Sequence, residues 1–229
     1  MSPPRIPEDD AARVRRLRAL ELMDTPPEPS LDVFTRLAAD VAGHPIAMVC
    51  LIDQDRQWVK SAFGTLAAVQ SSRDQSFCGH AILSSGVFEV ADARIDPRFR
   101  DNPSVTGGLE VVHYAGVPLC MPDGEQVGTL CVVDHQPRTL YPHQRRLLAG
   151  LAAGVVQTLL VREQALLAQR EAEQRASLEH DLRRAQMRLE LALEATALGL
   201  WEYDVPTGVV RLFDTWGPLF SYPRGAREL

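Results

Sequence analysis

The sequence predicts an α+β fold: an antiparallel sheet flanked by helices, then a long C-terminal coiled-coil helix, then the truncated beginning of a further domain. Three observations predict it. Short apolar runs at 46–53, 111–121 and 126–134 are bounded by Asp- and Gly-containing turns, the mark of strands and hairpins. From Pro142 to about Thr196 no residue breaks a helix, and Gly150 and Gly154 are its only weak spots. After Gly199 the pattern returns to two short strand-like runs and stops at Leu229, too short a tail to bury a core.

The elements follow in order. Residues 9–22 read as a helix capped by Asp9 or Asp10, with Val14, Leu17 and Leu20 or Leu22 on one face. Pro26, Pro27 and Pro29 interrupt it. Ser30 is the expected cap of a second helix, with Leu31, Phe34, Leu37, Ala38 and Val41 inward and Gly43 as its end. IAMVCLID (46–53) and RQWVKSAFG (56–64) pair antiparallel across Asp53-Gln54-Asp55. Ser76 caps a short helix through Leu83; 86–92 is a strand, and Asp96-Pro97 opens another short helix. Strands 111–121 and 126–134 meet at Asp123-Gly124.

At ~1.5 Å per residue the long helix would extend roughly 80 Å. Leu147, Leu148, Leu151 and Val155 are expected to pack on the sheet. Leu178, Leu182, Ala185, Leu189 and Ala192 recur at alternating four- and three-residue spacing, a coiled-coil seam for a homodimer. The stripe weakens between Val161 and Ala176.

Composition narrows the function. The net charge of -6 gives no positive face for nucleic acid. The N-terminus lacks an apolar signal segment and no apolar run reads as membrane-spanning, so a cytoplasmic location without membrane contact is expected. Cys50, Cys78, Cys120 and Cys131 form no Cys-x-x-Cys pair; Cys50, Cys120 and Cys131 read as small buried hydrophobes in strands. The six histidines show no ligand spacing, so no metal site is expected. No phosphate loop, Ser/His/Asp order or kinase nucleotide box is present, and no catalytic residue is assigned.

Five stretches in order resemble the GAF family: DTPPEPSLDVFTRLAADVAG (24–43), IAMVCLIDQDRQWVKSAFG (46–64), SFCGHAIL (76–83), DARIDPRFRDNPSVTG (92–107) and YAGVPLCMPDGEQVGTLCVVDHQPRTL (114–140). The resemblance is to the GAF subclass at the N-termini of bacterial sensor histidine kinases and diguanylate cyclases. It implies helices on one sheet face and a small-ligand pocket on the other. LELALEATALGLWEYDVPTGVVRLFDTW (189–216) resembles the opening of a PAS domain. The implied organisation is an N-terminal helix (1–23), a GAF core (24–141), a signalling helix (142–196) and an incomplete PAS start (197–229).

Phe77, His80, Asp92, Phe99, Asn102 and Tyr114 are the candidate ligand-binding residues, with loop 93–110 as lid; each also suits a core or turn position. The cofactor is unknown. Bilin-binding GAF domains use a Cys followed closely by His; here Gly79 separates Cys78 from His80, and a bilin is not expected. Cys78 is also a redox or covalent candidate. His180 resembles a phospho-accepting histidine, but Glu179 stands where that motif expects Ser or Ala. The expected function is the sensory input of a signal-transduction protein, foremost a sensor histidine kinase of a two-component system, relaying ligand binding through the dimeric helix to an output domain outside this chain. The alternatives are the input of a diguanylate cyclase in cyclic di-GMP signalling, or a GAF-fold enzyme or redox sensor using Cys78.

Overall fold

The structure is a computed structural model that describes residues 1–65, 68–196, 201–212 and 227–228. It divides into two compact units, Met1–Ala165 and Leu166–Leu229.

The first unit is built on a six-stranded antiparallel sheet. Its strands are β1 (Ile46–Ile52), β2 (Arg56–Phe63), β3 (Gln70–Ser72), β4 (Phe88–Val90), β5 (His113–Cys120) and β6 (Gln126–Asp134), in the order β3-β2-β1-β6-β5-β4. Both predicted hairpins are present: Cys50 lies opposite Val59, and Val117 opposite Leu130. Gly124 supplies the positive φ that the second turn requires.

Every residue of β1 is buried because both sheet faces are covered. Alternation then sorts the side chains into two cores. Ala47, Val49, Leu51, Ala115, Val117, Leu130 and Val132 face helices α1 (Asp10–Ala19), α2 (Pro29–Ala42) and α5 (Pro142–Thr196). Met48, Cys50, Tyr114, Cys131 and Val133 face the other way, toward α3 (Phe77–Ala81) and the loops around α4 (Pro103–Thr106).

Asp9 caps α1 through Ala12 N–H, as the pattern predicts. Helix α2 departs from the expected start. It begins at Pro29 behind Glu28, without a side-chain cap, because proline's fixed φ and missing N–H suit the first helical turn. Leu37 is exposed on α2, while Leu31 and Ala38 are buried. Gly43 ends the helix in the left-handed conformation. Residues 96–101 make only a turn, in which the N–H groups of Phe99 and Arg100 donate to Asp96 O; the short helix starts at Pro103, where Asn102 caps it.

The long helix α5 runs over the predicted span. Leu148, Ala152, Val155, Val156 and Leu159 are buried against the sheet, whereas Leu147 is half exposed. The stretch Pro142–Ala192 is, among the described residues, one helix apolar and long enough by composition to cross a bilayer, contrary to the reading that no run qualifies. Within that stretch Leu148, Ala152, Val155, Val156 and Leu159 belong to the core packed on the sheet. Gly154 is not merely a weak spot: a Cβ there would stand 2.5 Å from Phe34 Cε1.

In the second unit, Leu178, Leu182, Ala185, Leu189 and Ala192 are exposed on the helix. Strands β7 (Trp201–Asp204) and β8 (Val209–Leu212) form a hairpin, and β9 (Arg227–Glu228) pairs with β8. Of the incomplete PAS start expected at 197–229, residues 197–200, 213–226 and 229 lie outside the described residues.

Candidate functional site

The sheet face opposite the long helix carries a cavity of about 60 Å³. Ser76 Oγ caps α3 by accepting Gly79 N–H at 2.8 Å, which presents Phe77 and Cys78 to the sheet. Phe77 and Cys78 line the cavity with Met48, Tyr114 and Val133 of the strands. Gln57, Ser71, Gln75, Ser76 and Ser104 supply its polar groups, and Leu109 and Val111 complete it.

Of the six nominated residues, Phe77 and Tyr114 line this cavity, as does Cys78. Phe99 is fully buried and acts through Phe77, on which it stacks with centroids 4.0 Å apart. Asn102 is buried but structural: its amide donates to Gln75 O at 2.8 Å, and its Oδ1 accepts Ser104 N–H. It therefore pins the loop beside the cavity to the segment before α3. His80 lies on the far side of α3, where its Nε2 donates to Ser2 O at 3.1 Å and its ring meets Phe99 edge-on. Asp92 faces outward and pairs with Arg94 at 2.7 Å, which holds its carboxyl below the ordinary range. His80 and Asp92 are thus not brought to the cavity, because each belongs to a turn or helix face directed away from it.

Beneath the cavity is a cluster absent from the sequence reading. The Sγ atoms of Cys50, Cys78 and Cys131 all lie within 4.8 Å of one another. Cys78 and Cys131 are 3.8 Å apart, and Tyr114 donates its hydroxyl to Cys78 Sγ at 3.3 Å. Burial is the largest influence on Cys78 and opposes a charge there, but the neighbouring Cys131 thiol and the Tyr114 hydroxyl favour one, and the Cys78 thiol is held well below the usual range. Cys50 is pushed up by its neighbours Cys131 and Cys78 and by burial; Cys131 is pushed up by Cys78 and burial, against a pull from Cys50. Three thiols this close could hold a soft metal ion or exchange electrons, a grouping that the spacing of the cysteines along the chain does not reveal. Cys120, expected to be buried, is exposed at the end of β5. What the sequence lacked was register. Cys50 and Cys131 share a face only because Met48 pairs with Cys131 and Cys50 with Thr129.

Gly116 explains how Tyr114 reaches the cluster. A Cβ on Gly116 would stand 2.3 Å from the Tyr114 hydroxyl, so only glycine lets the ring lie along the sheet. On the helix face, a second groove of about 310 Å³ runs between Val117, Pro118, Cys120 and Ala152, Ala153, Val156 of α5. Its lining side chains are apolar apart from Gln157 and Cys120.

The two faces are joined through β4. Phe88 and Val90 pack in the cavity-side core, while Glu89 points to the helix side. There Glu89 Oε1 accepts Leu140 N–H at 2.8 Å, and Oε2 pairs with Arg145 in the first turns of α5 at 2.5 Å.

A family model for the GAF domain matches residues 26–159, more than half of the chain. The chain belongs to the GAF domain family. The match covers the six-stranded sheet, α2, α3, α4 and the part of α5 that packs on the sheet. This GAF domain is 43% identical over 141 residues to a cyclic di-GMP phosphodiesterase of Pseudomonas aeruginosa; the alignment covers 60% of this chain and 23% of that protein. Among solved structures, it is similar in fold to the free methionine-R-sulfoxide reductase of Neisseria meningitidis (TM-score 0.50, 17% identity, 72% of this chain and 99% of that one). It is likewise similar to the chromophore-binding domain of a bacteriophytochrome from R. palustris (TM-score 0.50, 13% identity, 68% and 61%). The GAF domain is a sensory module, and at these identities the structural likenesses establish its fold alone.

Proposed function

We propose that this chain is the input module of a bacterial cyclic di-GMP signalling protein, in which the GAF cavity receives a small signal and α5 carries the response to an output domain acting on cyclic di-GMP. The observation that carries this reading is the 43% identity with a cyclic di-GMP phosphodiesterase over 141 residues. It favours cyclic di-GMP as the output over a histidine kinase. The cavity limits the signal. About 60 Å³ is far below the roughly 300–1,000 Å³ of sites that enclose drug-sized ligands, so the occupant has few heavy atoms.

The proposed relay runs across β4. Movement of Phe88 or Val90 on the cavity side displaces Glu89, which holds Leu140 and Arg145 at the start of α5. A helix with two packed states can transmit such a shift. The second copy that such a relay needs would cover Leu178, Leu182, Ala185, Leu189 and Ala192.

The test is cellular cyclic di-GMP in a strain lacking the gene, in the complemented strain, and in one complemented with Glu89→Gln. Levels that differ between the first two and are altered by Glu89→Gln are expected. Indistinguishable levels in all three would overturn the reading.

A further inference from the structure

We propose that Cys78 and Cys131 form a peroxide-sensing thiol pair, with Cys78 as the attacking sulfur and Cys131 as its resolving partner. The proposal rests on the input-module reading of this face and names the class of its signal, a small hydroperoxide such as hydrogen peroxide.

Four observations carry it. Cys78 both lines the cavity and belongs to the sulfur cluster, so the cavity lies against the residue that carries the attacking sulfur. The volume of about 60 Å³ admits a peroxide, since one water occupies about 30 Å³ of liquid. Tyr114 already donates to Cys78 Sγ at 3.3 Å, which favours the thiolate. Thr129 Oγ1, fully buried, has no partner in hydrogen-bond geometry among the described residues, yet it lies close enough to bear on the acidity of Cys78. It is a free donor beside the atom that would gain negative charge.

The chemistry balances with the peroxide as sole oxidant. The Cys78 thiolate attacks one peroxide oxygen; an S–O bond forms and the O–O bond breaks. The hydroxide that leaves takes the proton released by Cys78 and departs as water. The Cys131 sulfur, 3.8 Å away, then attacks the sulfenic sulfur. An S–S bond forms, the S–O bond breaks, and the second oxygen leaves as water with the Cys131 proton. Two thiols and one peroxide give a disulfide and two waters; two electrons pass from sulfur to oxygen. Closing the sulfurs from 3.8 Å to about 2.05 Å draws α3 toward β6. Strand β6 carries Leu130 and Val132 on its other face, within the core that also holds Leu148, Val155 and Leu159 of α5.

The test uses the whole 229-residue chain, reduced and freed of air. Hydrogen peroxide is added, the reaction is quenched with an alkylating agent, and the thiols are mapped by mass spectrometry. A Cys78–Cys131 disulfide reversed by dithiothreitol is expected, forming at least about tenfold faster than oxidation of the exposed Cys120. Cys131→Ala should stop at a sulfenic acid on Cys78 that dimedone traps, whereas Cys50→Ala should still close the disulfide. Because the wild-type map needs no substitution, a variant that fails to fold does not rescue the proposal. Cys50, Cys78 and Cys131 remaining reduced while Cys120 oxidises would overturn it. So would a stoichiometric metal ion retained by the three sulfurs of the purified chain. The readout needs no output domain, so failure here leaves the cyclic di-GMP reading to its own test.

Discussion

His44 and His113 share a hydrogen bond of 2.8 Å between Nε2 and Nδ1, and both side chains are buried. His44 Nδ1 donates to Ala42 O at 2.8 Å, so its Nε2 accepts from His113. His113 Nε2 then faces Glu89 Oε1 at 3.2 Å, an oxygen that already accepts Leu140 N–H. The whole chain of contacts is satisfied by one proton beyond two neutral rings. A second would set two N–H groups against each other between the imidazoles.

This count predicts an acid-sensitive fold. Burial is the main cause that lowers His44 and His113 below the ordinary histidine value of 6.5. Ala42 O and Asp134 pull the first ring upward, Glu89 and Asp134 the second, and Arg138 opposes both. Unfolded, both rings take a proton near their ordinary value; folded, they take at most one. The unfolded chain therefore binds more protons as pH falls through 6.5, and stability present above that value is lost below it. Urea unfolding between pH 7.5 and 5 should show a loss of roughly 1.4 kcal/mol per pH unit for one proton. In His113→Gln the slope should flatten in this window. A wild-type profile flat from pH 7.5 to 5 would refute the count.

Asp10 binds two buried guanidiniums. It accepts from Arg13 Nε at 2.7 Å and from Arg73 at 2.6 and 2.9 Å. Asp10→Asn leaves Arg13 and Arg73 buried without their counter-charge. Breaking such a buried pair typically costs about 3–5 kcal/mol. The lower end is expected here, since Arg13 still reaches Ile52 O and Arg73 still reaches Gln54 O. Urea unfolding of the variant should show that loss with an unchanged denaturant slope. A loss below about 1 kcal/mol would mean that water already solvates the pair.

The seam Leu178, Leu182, Ala185, Leu189 and Ala192 predicts a dimer that apolar packing holds. Leu182 is 59% exposed in the single chain and Leu189 58%. Replacing both with Glu puts charges at positions that a coiled coil buries. Sedimentation should show the wild-type chain as a dimer and the double variant as a monomer with the sheet domain still folded. A wild-type monomer at micromolar concentration would remove the seam from the mechanism.

How much of this was legible in the sequence depended on range. Asp9 as a cap, Gly43 as a helix end, the Asp123-Gly124 hairpin and the 142–196 helix each depend on neighbours in the chain, and each is present. Phe77 and Tyr114 line the cavity on the sheet face where the family resemblance implies a pocket. His80 and Asp92 do not line it, because residues one or two apart along a turn point to different sides. The sulfur cluster and the His44–His113–Glu89 chain were invisible for one shared reason. Their members come from different strands and helices, and only strand register and parity bring them together. Cys50 and Cys131 had the right parity beside Met48 and Val133, but nothing local supplies the register that aligns them.

Gly150 and Gly154 are four residues apart on α5, yet they predict opposite outcomes on substitution. A Cβ at Gly150 meets nothing within 4 Å. Gly150→Ala therefore gains helix propensity alone, about 0.5–1 kcal/mol of stability. At Gly154 the same gain competes with a clash, because the added methyl stands 2.5 Å from Phe34 Cε1 and 3.1 Å from its Cζ. Phe34 is packed against the helix-side core, so it cannot swing clear without opening the contact between α2 and α5. Overpacking of this kind costs about 1–3 kcal/mol, which exceeds the propensity gain. Thermal unfolding should therefore place Gly150→Ala above the wild type and Gly154→Ala below it. The pair Gly154→Ala with Phe34→Leu should recover part of the loss, because leucine gives up the ring edge that the methyl meets. Equal stabilisation by both single substitutions would mean that Phe34 does not pack on Gly154 in solution and that α5 meets α2 at a different depth.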